Sequence, residues 1–598
     1  MTAPVGVTFL GGLGEVGRNC TVVEVDGRLL VIDFGVMFPD ATMPGVDSIL
    51  PDTAWLAGRA DDVAGLIITH AHEDHVGGVA RFVSEIGAPV FGSPLTIAIC
   101  EHKLTEARLR RSADLHVLAD GERRRIGPFD VEVLPITHSV PQSLCVVVHT
   151  PQGVLVHTGD FKLDKAPVDG RLTDLGRLAG LADGPGVRLL MADSTNADGP
   201  GSSASETEIG ETFRRLFPTY AGRRLLVACF ASHLHRVQQV VDVATAEGRS
   251  IFPVGRSMVN NIRIARELGV LTVPEHLVQP IGRLRDFDPG EVCILCTGSQ
   301  GEERAALALM ANGAHNDVHI GDGDVVMLSS HPIPGNERAV FAVVNRLCRL
   351  GATVVHDGHE KVHTSGHARR DELAEMHRTV RPEWFVPIEG EYHMLARHAE
   401  LAVETGLDPS RVLVVTDGAQ LKITDDGVAV AGEVPAPGRF VDGTLDDVTP
   451  DLLMQRRRLS QAGMVHVTVV VDSAGGLLCP PEISTQGWID TEAGADLLRE
   501  LRAELTAAVE RPAGKSGGGG KDGKSARAKS GRGKHGRGKH GQQDRRGGPD
   551  QDRDGRDASA GKVDVKELRR QVRRTVGRFV GDRTRRRTVV SVSVAVVR

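Results

Sequence analysis

The sequence predicts a multidomain α/β protein whose first domain is an αββα sandwich. Three observations predict it. Residues from Val5 to about Ser203 alternate short apolar runs with turn signals and a few helical segments. From about Ser205 the pattern changes to strands that are each followed by a helix, and a smaller set of strands and helices follows residue 440. A chain of 598 residues is long enough for several domains.

A run of metal-binding residue types follows a predicted strand in the first domain. The segment Val63–Ile68 is short and apolar, which is typical of a buried strand. In the extended chain after it, His70 and His72 point the same way and can bind one metal ion. Asp74 and His75 come where the chain would turn into a helix, and can reach a second ion. Two ions ~3.5–4 Å apart can activate water and stabilise an in-line displacement at phosphorus.

Two further strand-like runs end in metal-binding residue types. One ends at His138 and the other at Asp160. Side chains at strand ends are held by a rigid sheet, which suits a catalytic metal site. His138 as a third nitrogen ligand and Asp160 as a bridging carboxylate would complete the site. The simpler interpretation of each residue, taken alone, is a turn residue.

Two other motifs have simpler interpretations. Gly12–Gly17 matches G-x-G-x-x-G, but a dinucleotide site needs a helix next, whereas Cys20–Val25 alternates like another strand. Cys293 and Cys296 have C-x-x-C spacing within an apolar run and no second pair nearby. They are therefore predicted to be buried thiols and not a zinc knuckle.

Many segments, all in one order, resemble the metallo-β-lactamase superfamily and, within it, the β-CASP nucleases of the ribonuclease J family. Besides the histidine run they are Gly11–Asn19, Ile32–Gly35, His157–Asp160, Asp193–Asn196, Phe230–His233, Gly255–Met258, Thr297–Glu302, Ile333–Asn336 and His363–His367. The resemblance implies a cytoplasmic, metal-dependent ribonuclease that acts in RNA maturation and decay. It implies both endonuclease activity and 5′-to-3′ exonuclease activity on single-stranded RNA, preferably with a 5′-monophosphate.

The resemblance also divides the chain into domains. They are a metallo-β-lactamase domain in two parts at 1–204 and 353–440, an inserted β-CASP α/β domain at 205–352, and a small α+β C-terminal domain at 441–510 and 563–598. Members of the family assemble as dimers or tetramers, so a homodimer or homotetramer is expected. Other RNA-decay proteins are further candidate partners.

The segment 511–562 interrupts the C-terminal domain. It is rich in Gly, Lys, Arg, Ser and Asp, and Gly-Arg-Gly-Lys-His occurs twice between 531 and 540. Such a composition cannot bury a core, so the segment is predicted to be disordered. It is either a solvated linker or a sequence-independent RNA tether. After it, Leu568, Val572, Val576 and Phe579 form a helical stripe, and Val589–Val597 is a predicted strand.

The resemblance assigns ligands to two divalent ions, Zn or Mn, that share one carboxylate. They are His70, His72 and His138 for the first ion, Asp74 and His75 for the second, and Asp160 between them. Zinc suits the imidazoles, and the carboxylates also accept manganese. The implied reaction is attack on phosphorus by a metal-bridging hydroxide, which leaves a 5′-phosphate on the downstream product. Asp74 therefore counts among the catalytic residues.

Further residues are implied to orient these ligands or to hold the substrate. Asp33 and Asp193 are predicted to orient histidines, with turn capping as the alternative. His367 is the candidate that stabilises or protonates the leaving 3′-oxygen. The motif that is implied to bind the substrate phosphate consists of His363, Thr364, Ser365, Gly366 and His367. Ser232 and His233 are implied to hold a terminal 5′-monophosphate.

One position departs from the family pattern. The family normally has histidine at the position of Glu389, where it completes the second metal site. Glutamate can still bind through oxygen, but it adds negative charge and favours harder ions. Glu389 is therefore predicted to be a ligand or near-ligand that increases the preference for manganese, and His393 is the alternative ligand.

Composition excludes several classes of protein. The chain is 40% hydrophobic with a net charge of −7, and no apolar stretch approaches the ~20 residues of a membrane span. The N-terminus shows no secretory signal, and the eight cysteines suggest no disulfide framework, so the cytosol is expected. Aromatic residues make up only 4%, so phosphate contacts should dominate RNA recognition.

Two alternative functions and one weaker expectation stay open at this stage. A hydrolase acting on a thioester or lactam would share the histidine run, but it would need neither the inserted domain nor the His363–His367 motif. An RNA-binding subunit that lost catalysis through Glu389 would not need a full set of metal ligands. A structural calcium-like ion at Gly45, Asp47 and Asp442 is a weaker expectation, for which plain loop residues are the alternative.

Overall fold

The computed structural model describes residues 3–40, 42–333, 335–443, 445–510 and 563–597. The insert that is predicted to be disordered, 511–562, lies outside the described residues. The chain forms two compact units. One comprises Met1–Ala41 and Gly45–Val448, and the other comprises Thr42–Pro44 and Thr449–Arg598.

Two large sheets in the first unit form a sandwich. The eight-stranded sheet has the order Gly427–Glu433, Ala419–Thr424, Val5–Gly11, Cys20–Val25, Arg28–Ile32, Val63–Ile68, Val90–Gly92, Leu115–Val117. The six-stranded sheet has the order Trp384–Ile388, Val187–Asp193, Gly153–His157, Leu144–Thr150, Phe129–Pro135, Arg123–Ile126. Val7 and Leu30 of the first sheet pack against Val133 and Leu189 of the second in one buried core. This arrangement confirms the predicted sandwich.

Helices cover both outer faces of the sandwich. Phe82 and Leu104 belong to helices that pack on the eight-stranded sheet. Leu178, Leu373 and Leu401 belong to helices that pack on the six-stranded sheet. Burying each such side chain stabilises the fold by about 1.5–3 kcal/mol. The four layers (helices, sheet, sheet, helices) enclose two outer cores and one inner core.

Parallel strands bring several polar segments to one edge of each sheet. In the first sheet, Arg28–Ile32 and Val63–Ile68 run parallel, so Asp33 and the histidine run leave them at the same edge. In the second sheet Gly153–His157, Val187–Asp193 and Trp384–Ile388 are parallel. The carboxyl ends of parallel strands are the usual place for a site in α/β proteins.

The inserted domain has its own parallel sheet. Its strands have the order Ser250–Val254, Val292–Cys296, Arg224–Ala228, Asp324–Leu328, Thr353–His356. The last strand lies just beyond the predicted domain boundary at 352. Thr353, Val354 and Val355 are β-branched and pair with Asp324–Leu328, so the inserted sheet continues to His356.

A three-stranded sheet joins the end of the first unit to an earlier segment of the chain. Gly438–Asp442 pairs with Ser48–Pro51 and with Leu445–Val448 in a three-stranded sheet. These backbone hydrogen bonds keep the chain in the first unit to Val448, beyond the predicted end at 440. A two-stranded sheet of Leu13–Gly14 and Gly390–Glu391 completes the strands of this unit among the described residues.

The second unit is a small α+β domain. Its sheet has the order Glu482–Gln486, Met464–Val471, Val589–Val596, with the last two strands parallel. Val465, Val467 and Val469 pack with the helical stripe that the sequence predicts. The helix that carries this stripe is Val565–Thr584.

The helices of the described chain have the following bounds: Ala54–Ala57, Glu73–Val76, Val79–Glu85, Pro94–Glu106, Leu175–Asp183, Glu206–Thr219, Leu234–Ala246, Arg256–Glu267, Ala306–Ala311, Glu337–Arg349, Arg370–Val380, Tyr392–Glu404, Pro450–Ala462, Ala495–Glu510 and Val565–Thr584. Within the part of the chain that the structure describes, none of them is both long and apolar enough to span a bilayer. Cys293 and Cys296 are buried free thiols, as predicted.

Candidate metal centre and substrate site

Three imidazoles and one carboxylate converge at the edge of the sandwich. The Nδ1 atom of His72 lies 3.1 Å from Nε2 of His70 and 3.1 Å from Nε2 of His138. The Oδ2 atom of Asp160 lies 3.6 Å from Nε2 of His70 and 3.8 Å from Nε2 of His138. We refer to His70, His72 and His138 as the nitrogen half of the site.

Burial keeps the imidazoles of the nitrogen half neutral. It lowers the pKa of His70 and of His138 well below the usual value, and it lowers the pKa of His72 to about 3. A neutral imidazole offers a nitrogen lone pair to a metal ion. Three lone pairs that face one another without protons are the arrangement that a metal ion stabilises.

A second group of ligands lies on the other side of Asp160. The Nε2 atom of His75 is 3.2 Å from Oδ1 of Asp160, 3.6 Å from Oε2 of Glu389 and 3.8 Å from Oδ2 of Asp74. One ligand atom from each of these four residues lies within 4.8 Å of the others. We refer to Asp74, His75 and Glu389 as the oxygen half of the site.

Carboxylates outnumber the single imidazole in the oxygen half. Burial opposes the charged form of His75, but Asp160 and Asp33 outweigh it and raise the pKa of His75 well above its usual value. Burial and the neighbouring carboxylate of Asp160 raise the pKa of Glu389 well above its usual value. Burial raises the pKa of Asp74 to about 6, although His75 opposes the shift. Both shifts express the cost of collecting three carboxylates in a buried space. A divalent cation would offset that cost.

Unpaired oxygens show that the residues present fit metal ions. Among the described residues, neither carboxylate oxygen of Asp160 has a hydrogen-bond donor, and Oε1 of Glu389 has none either. A buried acceptor without a partner costs about 1–3 kcal/mol, and more when it is charged. Imidazole nitrogens and carboxylate oxygens together are the donor set of zinc and manganese sites.

Asp33 holds the histidine run in place from behind. Its Oδ2 accepts a hydrogen bond from Nδ1 of His75 at 2.8 Å, and its Oδ1 accepts one from the backbone N–H of Thr69 at 2.7 Å. The hydroxyl of Thr69 also lies 3.0 Å from Nδ1 of His70. These bonds leave Nε2 of both histidines turned toward the site. Asp33 therefore makes the contact with a candidate ligand that the sequence predicts.

Local backbone geometry explains two of these positions. Asp33 has a φ of +62°, a left-handed conformation that aspartate tolerates better than most residues. Gly35 lies two residues further on, and a Cβ atom there would lie 1.6 Å from the backbone oxygen of Asp74. Only glycine permits this close approach of the loop to the helix Glu73–Val76.

Glu389, and not His393, faces the metal centre. It follows the strand Trp384–Ile388 with a φ of +55°, and its carbonyl oxygen accepts a hydrogen bond from the N–H of Ser194 at 3.1 Å. His393 is 56% exposed, and its Nε2 lies 3.1 Å from Asp198. The left-handed turn at Glu389 therefore directs its carboxylate inward, while the next helix carries His393 outward.

His367 lies beside the shared carboxylate. Its Nδ1 donates to Oδ2 of Asp193 at 2.8 Å, and its Nε2 is 3.9 Å from Oδ2 of Asp160. Burial opposes the charged form, but Asp193 and Asp160 outweigh it and raise the pKa of His367 to about 9. The two carboxylates therefore favour the protonated form of the imidazole. Asp193 contacts His367 and not one of the predicted metal-binding histidines.

The loop that contains His367 is tied to the nitrogen half. The carbonyl oxygen of Gly366 accepts a hydrogen bond from Nδ1 of His138 at 2.8 Å. A Cβ atom at Gly366 would lie 2.7 Å from a carbon of that ring, so the contact requires glycine. Ser365 accepts hydrogen bonds from Asn196 and from the N–H of His367, and Thr364 donates to Ala204.

The predicted phosphate residues differ in accessibility. His363 and Ser232 are partly exposed, and Nδ1 of His363 has no hydrogen-bond partner among the described residues. His233 is 2% exposed, and its Nε2 lies 3.3 Å from Oε1 of Glu206. Its Nδ1 accepts a hydrogen bond from the backbone N–H of Arg236, and with this bond His233 caps the helix Leu234–Ala246. His233 therefore has a structural contact that the sequence does not indicate.

Two residues make contacts near the predicted site residues that the sequence does not indicate. The side-chain amide of Asn19 lies 3.1 Å from Nε2 of His75. Arg236 is fully buried and donates to Oε2 of Glu206 at 2.7 Å and to the carbonyl oxygen of Val362 at 2.8 Å. Asn19 belongs to a segment that carries the family resemblance, but nothing in its local pattern indicates a contact 56 residues away. Arg236 lies in a largely apolar helix. A charged residue in such a helix was the only signal in the sequence that it has a buried partner.

The candidate calcium site is only partly assembled. Oδ2 of Asp47 accepts a hydrogen bond from the N–H of Gly443 at 2.7 Å, so the loops of Asp47 and Asp442 are adjacent. Within the described chain, no group of three acidic or imidazole side chains forms there.

Family models match most of the chain. Their descriptions are "Metallo-beta-lactamase superfamily" at 13–197, "Ribonuclease J, beta-CASP domain" at 222–347, "Zn-dependent metallo-hydrolase RNA specificity domain" at 353–414 and "Ribonuclease J C-terminal domain" at 451–521. A crystal structure of a protein of unknown function from Enterococcus faecalis V583 shares the fold, with a TM-score of 0.50 and 15% identity. The match covers 70% of this chain and 99% of that one.

Curated relatives are similar over nearly their whole length. Ribonuclease J of Mycobacterium tuberculosis strain H37Rv is 41% identical, over 84% of this chain and 90% of that protein. Ribonuclease J of Mycolicibacterium smegmatis is 40% identical over the same shares. Ribonuclease J of Thermus thermophilus is 38% identical, over 84% of this chain and 87% of that protein.

Proposed function

The chain belongs to the ribonuclease J family and is a metal-dependent ribonuclease, and from this premise we propose how it acts on RNA. We propose that it removes nucleotides one at a time from the 5′ end of single-stranded RNA and also cuts internally. The preferred exonuclease substrate carries a 5′-monophosphate. The products of each cleavage are a 3′-hydroxyl on the upstream fragment and a 5′-phosphate on the downstream fragment.

One observation carries the proposal. Two sets of ligand atoms share Asp160, and the imidazole of His367 lies 3.9 Å from that shared carboxylate. Metal ions bound to the two halves would lower the pKa of water and neutralise phosphate charge. A protonated group beside the metal ions can donate a proton to the departing 3′-oxygen of a phosphodiester.

The residues of the chain then have separate roles. A water molecule that has given one proton to solvent attacks as hydroxide, and its oxygen forms a bond to phosphorus as the bond between phosphorus and the 3′-oxygen breaks. Nε2 of His367 donates its proton to the 3′-oxygen, and Asp193 holds the imidazole in the orientation for the transfer. A solvent proton restores the imidazolium of His367 after it has protonated the departing 3′-oxygen. Because Asp193 also keeps His367 charged, it stabilises the negative charge that develops on the leaving group.

Phosphate recognition falls to the loop around His367. We propose that His363, Thr364, Ser365 and Gly366 bind the phosphates next to the scissile bond. We propose that Ser232 binds a 5′-terminal phosphate, and that His233 positions this segment through its contact with Glu206. Both ring nitrogens of His233 face protein groups, the carboxylate of Glu206 and the backbone N–H of Arg236.

Finer properties belong to the same proposal. We propose zinc or manganese in the nitrogen half and manganese in the oxygen half, because Glu389 replaces a nitrogen donor with a charged oxygen. We also propose a homodimer or homotetramer, contacts with other RNA-decay proteins and a cytoplasmic location. A calcium ion at Gly45, Asp47 and Asp442 stays a prediction.

The first experiment is digestion of a single-stranded RNA with either a 5′-monophosphate or a 5′-triphosphate, in manganese or zinc, followed on a sequencing gel. An Asp74→Ala, His75→Ala double variant controls for contaminating nuclease. We expect mononucleotides from the monophosphate RNA with the wild type only. Intact RNA under both metals, with RNA binding retained, would instead identify a catalytically silent RNA-binding paralogue.

A further inference from the structure

The end of the chain carries concentrated positive charge. Residues 563–588 contain ten Lys and Arg but only three Asp and Glu, a local net charge of +7. The whole chain has a net charge of −7. Most of these cations lie on the helix Val565–Thr584. This helix lies in the second compact unit, whereas the metal centre lies in the first.

The helix has two distinct faces. Leu568, Val572, Val576 and Phe579 are buried against the strand Met464–Val471 and the helix Ala495–Glu510. Side chains that repeat every three or four residues share one face of a helix. The positions between the apolar ones are exposed, and they are occupied by Lys566, Arg569, Arg570, Arg573, Arg574, Gly577 and Arg578.

Neighbouring carboxylates neutralise only part of this charge. Arg578 pairs with Glu504 at 3.1 Å and Arg583 with Glu500 at 2.7 Å, and Arg570 pairs with Glu567. Six others have no ion partner among the described residues: Arg569, Arg573, Arg574, Arg585, Arg586 and Arg587. We call these six residues the arginine face.

Leaving the arginine face unpaired costs stability. Like charges four residues apart on a helix, such as Arg569 and Arg573, repel each other and destabilise it. A polyanion that bound this face would remove the repulsion. Guanidinium groups bind phosphate oxygens through paired hydrogen bonds, and they stay charged at every physiological pH.

We propose that the arginine face is an RNA-binding surface, separate from the metal centre, that holds the phosphates of the substrate strand without regard to sequence. The proposal rests on the proposed function, since it takes single-stranded RNA as the substrate. The exposed positions of the helix carry no aromatic residue, so the contacts are to phosphates and not to bases.

The buried apolar face argues against a membrane as the partner. A helix that lies on a bilayer inserts an apolar face among the lipids. Here that face is already occupied by the core of the domain, and the exposed positions between 566 and 578 are cationic or glycine. The exposed cationic side chains therefore complement the charge of a polyanion in solution.

The test compares two triple variants of the full chain. In R569Q/R573Q/R574Q, glutamine removes three charges from the arginine face while it preserves helix propensity. The matched control is R123Q/R263Q/R283Q, which removes three charges from exposed arginines that pair with Asp130, Glu267 and Asp286. The variant R569K/R573K/R574K keeps the charge and serves as the rescue.

The readout is the affinity for a single-stranded RNA of ~40 nucleotides as a function of salt, measured by fluorescence anisotropy. All variants carry Asp74→Ala and His75→Ala, so that the RNA stays intact. Because each neutralised phosphate contributes about 0.7 to the slope of log K against log[salt], loss of three contacts should reduce the slope by about 2. We expect this reduction and weaker binding in the glutamine triple, a wild-type slope in the control, and recovery in the lysine triple.

Three outcomes would overturn the proposal. One is an equal slope for the glutamine triple and the control. Another is an unchanged RNA slope with loss of binding to phosphatidylserine vesicles, which would identify a lipid surface. The third is an unchanged slope with an altered native mass, which would identify a subunit interface. Because the readout is binding and not cleavage, a wild type that binds RNA but fails to cut it would overturn the proposed function alone.

Discussion

The two halves of the metal centre share Asp160 but are built from opposite chemistry. The nitrogen half holds three imidazoles that burial keeps neutral. The oxygen half places Asp74 and Glu389 beside the shared carboxylate, with His75 as its only nitrogen donor. The same burial therefore prepares one half for a metal ion and makes the other half unfavourable without one.

This difference assigns separate tasks to the two halves. Neutral imidazoles carry no net charge, so they can lie close together in the folded protein without charge repulsion before a metal ion binds. The nitrogen half is therefore preorganised. The carboxylates of the oxygen half repel one another, and they become stable ligands only when a cation neutralises them. Glu389 increases this contrast, since histidine at that position would have reduced the negative charge.

The largest effect is expected from a substitution of Asp160, the residue that both halves share. Asp160→Asn keeps the size of the side chain but removes the charge, so both halves lose a ligand. We expect kcat/KM on 5′-monophosphorylated RNA to fall by at least about 10³-fold, the order found when a group that stabilises transition-state charge is lost. Metal content, measured by plasma mass spectrometry, should fall in parallel.

The exposed Asp61→Asn serves as the control for a general effect of removing an acidic charge. A variant at Asp160 that kept both ions and most activity would show that the halves do not depend on the shared carboxylate.

A substitution of Asp33 should have a smaller effect, and it should distinguish metal binding at the two halves. Asp33→Asn weakens the hydrogen bond that orients His75, and asparagine tolerates the left-handed backbone at this position. Loss of such a partner typically reduces metal affinity by about 10–100-fold. We expect titration with manganese to show weaker binding at one of two sites. Equal weakening of both sites would show that Asp33 does not act mainly through His75.

Glu389→His would make the two halves more alike. Replacing the carboxylate with an imidazole should lower the ratio of manganese-supported to zinc-supported activity by about tenfold, equivalent to ~1.4 kcal/mol. The measurement is the RNA cleavage rate over a range of each metal. Glu391→His, at an exposed position of the same segment, is the matched control. An unchanged ratio and unchanged metal content would rule out a role for Glu389 in metal preference.

The smallest effect tests what burial alone does to an imidazole. His377 and His398 lie 3.1 Å apart in the core, and burial lowers the pKa of His377 to about 4. The unfolded chain takes up this proton near pH 6.5, so acidification stabilises the unfolded state. The contribution of His377 to the free energy of unfolding should fall by about 2 kcal/mol between pH 7 and pH 5.

His377→Gln should therefore reduce the pH dependence of the urea midpoint between pH 7 and pH 5. His319→Gln, at an exposed histidine, should leave it as in the wild type. If both variants kept the wild-type dependence, burial would not be what holds His377 neutral, and the same explanation for the nitrogen half would weaken.

The candidate metal centre was more predictable than its surroundings. His70, His72, Asp74 and His75 lie in one short segment after a strand, so their type and spacing indicated a metal site before any tertiary information. The role of Asn19 was not accessible in this way, because its contact with His75 joins distant parts of the chain. Contacts of this kind have no local periodicity or motif that could reveal them.

The same distinction applies to the domain boundaries. Alternating apolar runs predicted the strands of the inserted sheet, but not that Thr353–His356 pairs with Asp324–Leu328. A β-branched strand suits either sheet equally well. Which sheet it joins depends on the path of the chain, and a propensity does not contain that information.

The sequence by itself determined the fold class, the family and the ligand types, because these depend on residue type and local spacing. Only the tertiary structure decided that Glu389 and not His393 faces the centre, that Asp193 pairs with His367, and that His233 is turned toward Glu206. Each of these outcomes follows from the direction in which a turn or a helix points a side chain. That direction is set by packing between segments that are far apart in sequence.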